Sequence, residues 1–176
     1  MPGGSDSPGK VLVDRDAIQT EVARLAAQIS ADYGERPAHF IGVLKGSAVF
    51  LSDLMRALTV PVTVDFISVV PYAPVTTSGV VRIRKDLDDP IEGRDVIVVE
   101  AICATGRTLA YLLRNFQTRN PASIRVCALL AKQCTRPQEL TLHYVGREIP
   151  DVFVVGYGLD KDERYRNLPY VARVGA

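Results

Sequence analysis

The sequence carries almost no excess charge, few cysteines and no long apolar run, and each shortage narrows what the chain can do. Its 21 Lys and Arg against 20 Asp and Glu leave a formal net charge of +1. Both signs are mixed along the chain, so there is no basic footprint for nucleic acid. Cys103, Cys127 and Cys134 are odd in number and lack metal-ligand spacing; they fit reduced thiols serving as core filler in a cytosolic protein. No segment reaches the roughly 18 consecutive apolar residues of a membrane span. The opening stretch "MPGGSDSPGK" lacks the apolar centre of a signal peptide. A cytoplasmic protein is expected, with residues 1–10 disordered.

What is present is ample core. With 176 residues and 47% apolar composition, residues 11–176 are expected to form one domain burying about 70% of its unfolded surface. Ile18, Val22, Leu25, Ala26 and Ile29 recur at i, i+4, i+7, i+8 and i+11, which predicts an amphipathic helix over 14–32 with Asp14 as its cap. Strands are predicted at 39–44, 62–69, 79–84, 95–100, 123–131 and 151–157, and further helices at 46–58 and 106–117. This alternation implies an α/β fold, a mostly parallel sheet with helices on both faces. Ligands of such sheets bind outside the strands' carboxyl ends, near a switch in strand order. The loops that begin at residues 44, 70, 100, 132 and 157 are therefore the ones to inspect.

The most informative is "VIVVEAICATGRT" at 96–108. A β-branched run leads into a Thr-Gly-Arg-Thr turn and then a helical pattern, a junction that aims backbone N–H groups and a helix N-terminus at an anion such as phosphate. A plain connection capped by Thr105, with Gly106 in the turn, has the same pattern. "VLKGS" at 43–47 is a second strand-to-helix turn, where Lys45 can meet an anion. Lys132 ends the strand "RVCALLAK", either as a solvated tip or as a ligand contact. "FVVGYGLDKDERYR" at 153–166 holds an aromatic residue, acids suited to Mg²⁺ and arginines suited to an oligophosphate, or simply a solvated charge run. The stretch from Val70 to Ser78 reads as a mobile lid or a hairpin loop.

Together these stretches resemble the hypoxanthine-guanine phosphoribosyltransferase family, within the type I phosphoribosyltransferase fold. The resemblance spans roughly residues 10–174 and rests on "VLKGS", "SGVVRIRKDLD", "VIVVE…TGRTL", "LLAK" and "DVFVVGYGLDKDERYRNLPYV", in the family's order and spacing. It implies a sheet flanked by helices with a small hood from the chain ends, and a homodimer or homotetramer. The implied reaction joins hypoxanthine or guanine to phosphoribosyl pyrophosphate, with Mg²⁺, giving IMP or GMP and pyrophosphate. By the same resemblance Ala104, Thr105, Gly106, Arg107 and Thr108 hold the 5'-phosphate, and Glu100 the ribose. Lys45, Gly46 and Arg166 meet pyrophosphate, and Asp160 the metal. Lys132 reads the purine's 6-oxo group, Phe153 stacks on the base, Val154 offers it backbone groups, and Tyr72 belongs to the lid.

The chain departs from the family at its chemistry. The family shows a second acid where Ala101 stands, and the hypoxanthine-guanine branch a further acid, the proton acceptor near purine N7, where Ala104 stands. Alanine neither accepts a proton nor binds a hydroxyl. The lid has Pro71-Tyr72-Ala73 in place of Ser-Tyr-Gly, and only Tyr72 carries over. Three readings follow: a purine-salvage scaffold that binds nucleotide with strongly impaired transfer, a working enzyme of this family, or a non-enzymatic nucleotide-sensing regulator.

Overall fold

The computed structural model describes residues 8–71 and 81–175. Its main sheet contains β2 (Ala38–Leu44), β3 (Val62–Pro71), β4 (Val81–Lys85), β5 (Asp95–Cys103), β6 (Ser123–Lys132) and β7 (Tyr144–Ile149), in the order β4-β3-β2-β5-β6-β7. All neighbours run parallel except β4, which pairs antiparallel with β3 at the edge. Helices α1 (Arg15–Tyr33) and α2 (Ala48–Ala57) cover one face through Ile18, Leu25, Phe50 and Leu54, which meet Phe40, Ile97 and Val99 of the sheet. Helix α3 (Arg107–Gln117) covers the other, where Leu109, Leu112 and Phe116 meet Ile41, Val98 and Val126. The buried β-branched runs are those of a sheet covered on both sides. This is the α/β architecture, a mostly parallel sheet with helices on both faces, that the alternation of elements implied.

Asp14 caps α1 as expected, its side chain accepting the Ala17 N–H at 2.8 Å. Three strands lie outside those the sequence predicts: Pro8–Val13, Val171–Val174 and the edge strand β7. Strand β1 (Pro8–Val13) and β9 (Val171–Val174) pair antiparallel, and β9 also takes β8 (Val154–Val155), so the two chain ends build a small three-stranded sheet. Pro8, Gly9 and Lys10 are thus ordered in β1 rather than disordered, because a partner strand supplies the ladder that their local sequence lacks. Residues 1–7 lie outside the described residues. Edge strand β7 contains Gly146, Arg147 and Glu148, the polar mix of an edge rather than a buried run.

The strand expected over 151–157 is corrected. Only Val154 and Val155 form a strand, in the small sheet, and Gly156 makes an isolated bridge to Leu159. Gly156 and Tyr157 take φ values of 102° and 51°, which turn the chain out of extended geometry. Phe153, apolar but 57% exposed, points away from the core.

Candidate active site at the switch in strand order

From β2 the chain steps to β3 on one side; from β5 it steps to β6 on the other. The crevice therefore opens between the carboxyl ends of β2 and β5. A cavity of about 310 Å³ lies there, walled by Leu44 and Gly46 from the first end and by Glu100 and residues 102–109 from the second. The segment from Ala104 to Thr108 lines it continuously. Gly106, not the expected Thr105, occupies the N-cap of α3, with φ 70° in the left-handed region. That φ favours glycine, and a Cβ there would stand 2.1 Å from Leu140 Cδ2, so the Leu140 side chain would have to shift to admit one. The first turn of α3 lines this cavity through Arg107, Thr108 and Leu109, and the N-terminal end of a helix suits an anion.

Glu100 borders the same cavity, and burial pushes its carboxyl pKa up to about 8. Ala101 is buried; the nearest side-chain neighbours of a Cβ built on Gly46 would be Leu159 Cδ2 at 3.6 Å and Ala101 Cβ at 4.0 Å. Ala104 is shared with a second cavity.

That second cavity, of about 220 Å³, is lined by Ile102, Ala104, Lys132, Phe153, Val154, Leu159 and Asp160. Every residue expected around the purine is on this wall. Ile102 and Ala104 also line the first cavity, so the two are adjacent. The Lys132 side chain is only 15% exposed and its Nζ lies 3.2 Å from Asp151 Oδ1. The ion pair with Asp151 holds the cation on the pocket wall.

The third part joins the loop after β2 to residues 156–166. The Leu44–Lys45 peptide is cis. Gly158 lies against Gly46, and Tyr157 ties its own loop to α2 through a 2.6 Å hydrogen bond from its hydroxyl to Asp53 Oδ2. Arg166 Nη1 donates to the Gly158 carbonyl at 2.7 Å, and its Nη2 lies 2.8 Å from Asp160 Oδ1. Sequence reading overlooked Glu163 as a link: its carboxylate pairs with Lys45 at 3.1 Å and with Arg166 at 3.1 Å. These cations hold the Glu163 carboxyl below its ordinary pKa, Lys45 first.

Tyr72 and most of the expected lid lie outside the described residues. No group of three or more His, Cys, Asp or Glu among the described residues could hold a metal ion. A separate cavity around His39 and Arg94 sits at the opposite, amino ends of β2 and β5, remote from these loops. Arg136 was also overlooked. It donates to the carbonyls of both Ala104 and Lys132, and its only sequence signal is a cation four residues beyond Lys132.

The phosphoribosyl transferase domain family matches residues 10–162. A hypoxanthine-guanine phosphoribosyltransferase of Mycobacterium avium is 47% identical over 168 residues, covering 92% of this chain and 83% of the relative. This chain belongs to the hypoxanthine-guanine phosphoribosyltransferase family. Another member, from Bacillus subtilis, is 44% identical, with 92% and 91% of the two chains covered. Among solved members, a hypoxanthine-guanine phosphoribosyltransferase from Bacillus anthracis, holding a HEPES molecule in its active site, superposes with a TM-score of 0.92. It is 44% identical, and the match covers 96% of this chain and 99% of that one. No helix among the described residues is long and apolar enough to cross a membrane.

Proposed function

We propose that this purine-salvage phosphoribosyltransferase homologue binds phosphoribosyl pyrophosphate and 6-oxopurine nucleotides in the paired cavities, with its transfer step strongly impaired. The observation that carries the reading is the shared wall at Ile102 and Ala104, with a phosphate-type loop on one side and a held cation on the other. The 5'-phosphate of IMP or GMP sits on Ala104 to Thr108. The base lies against Phe153 and Val154, with its 6-oxo oxygen accepting from Lys132 Nζ. Adenine offers an amino group at that position, a donor facing a donor. Pyrophosphate takes Lys45, the Gly46 turn and Arg166, and Glu100 faces the ribose hydroxyls.

Asp160 suits Mg²⁺ as a single protein carboxylate, since Mg²⁺ is commonly bound by one or two carboxylates together with substrate phosphates. When bound, the ion neutralises charge on the departing pyrophosphate. Ala101 supplies no second carboxylate, and Ala104 supplies no acceptor for the proton that must leave the purine ring as it attacks the anomeric carbon. A cytoplasmic homodimer or homotetramer completes the proposal, the assembly to be read by light scattering.

The test is titration with GMP, IMP and AMP. GMP and IMP are expected to saturate, to shift the Thr105–Thr108 amide resonances, and to bind more tightly than AMP. Lys132→Ala should erase the difference. Saturation without movement of those resonances, or equal affinity for AMP and GMP in the unmodified protein, would overturn the reading.

A further inference from the structure

We propose that Arg136 is a positioning residue that fixes the distance between the purine pocket and the phosphate loop. The proposal rests on the functional reading above and concerns how its two subsites are held together.

The backbone ladder between β5 and β6 ends at the pair Cys103 and Ala131. Beyond it Ala104 turns into the phosphate loop, while Lys132 continues against Ile149 of β7. No ladder bond then joins the two strand ends just where the two cavities part. The Arg136 guanidinium takes over. Its Nε donates to the Ala104 carbonyl at 3.2 Å, and its Nη2 donates to the Lys132 carbonyl. The same Lys132 carbonyl accepts from the Cys134 N–H at 2.9 Å, which tightens the turn that carries Arg136 back. The Ala104 carbonyl also faces the Cys103 thiol at 3.7 Å.

A planar fork with donors in fixed directions suits two acceptors on different strands; a lysine ammonium, a single point on a flexible stem, does not. Arg136 itself lines neither cavity. Its effect falls on a ligand that must reach both subsites at once, because the second contact of such a ligand depends on how well the spacing is held. A ligand that fills one subsite does not depend on that spacing.

Arg136→Met, which keeps much of the stem and removes the donors, is therefore read with three ligands: GMP, ribose 5-phosphate and guanine. GMP is expected to weaken about tenfold or more, the loss of two ordinary hydrogen bonds, and the two fragments less than about threefold. Arg136→Lys should stay close to Arg136→Met for GMP. A uniform loss across all three ligands, as general destabilisation would give, overturns the proposal, and so does unchanged GMP affinity. If Arg136→Met does not fold, Arg136→Lys and Arg136→Gln read the same ratio. Unmodified protein that binds neither GMP nor ribose 5-phosphate overturns the functional reading itself, and this proposal with it.

Discussion

Gly158 packs so closely on Gly46 that a Cβ on Gly158 would stand 2.3 Å from the Gly46 carbonyl oxygen. The two loops assigned to pyrophosphate are thereby set against each other, backbone to backbone. Gly158 also has φ 92°, which side-chain-bearing residues avoid.

Gly158→Ala is accordingly expected to force the loops apart. Pyrophosphate affinity should fall about tenfold or more, with a stability loss of about 1–3 kcal/mol from backbone strain. Ribose 5-phosphate, proposed to sit at 104–108, should bind nearly as before. Calorimetric titration of both ligands, beside a thermal melt, checks this; equal losses for the two would disconnect the contact from the pyrophosphate site.

Glu163 occupies the two cations proposed for pyrophosphate, Lys45 and Arg166. Glu163→Gln should release them and tighten pyrophosphate about two- to fivefold at low salt, the scale of exposed ion pairs. The gain should shrink as salt rises. Weaker binding in the variant would show that Glu163 orients the cations rather than competing for them.

Burial penalises the ionised form of Glu100 and pushes its carboxyl pKa up to about 8. An unfolded glutamate titrates near 4.3, so the folded chain holds this proton more tightly than the unfolded chain does. Stability attributable to Glu100 is then complete below about pH 4.3 and declines as pH rises towards 8. Against the unmodified protein, Glu100→Gln should gain Tm progressively between about pH 5 and pH 8 and hold the gain above it. Melts across that range decide the matter, since a constant offset would mean that Glu100 does not carry the titration.

Restoring acids by Ala101→Asp and Ala104→Asp should raise IMP and GMP formation at least about a thousandfold. A lost general base costs about 10²- to 10⁴-fold, and a lost hydrogen bond to a charged group about 1.5–3 kcal/mol. The two terms act on one bound sugar and need not add. Rates of the unmodified chain within tenfold of the restored one would point to another base, such as Glu100.

The sequence by itself determined the elements whose cause is local. The β-branched run at 96–99 is apolar enough to be buried on both faces, the spacing from Ile18 to Ile29 marks one helix face, and Asp14 caps its own helix. It also located the strand-to-helix turn proposed for phosphate, because Gly106 and its neighbours are consecutive and their geometry follows from one turn. Tertiary structure decided what depends on residues far apart in the chain. Strand β1 is ordered only because β9, more than 150 residues on, completes its ladder. The run 151–157 looks like a core strand, yet Phe153 turns outward and Gly156 and Tyr157 bend the chain. Nothing local says that Gly158 will meet Gly46, that Glu163 will join Lys45 to Arg166, or that Arg136 will hold two strand ends together. Those pairings are set by the order in which strands enter the main sheet, which brings the loops after β2, β5 and β6 to a common edge, and by the small sheet, whose β8 leads into the loop that carries Gly158 and Glu163.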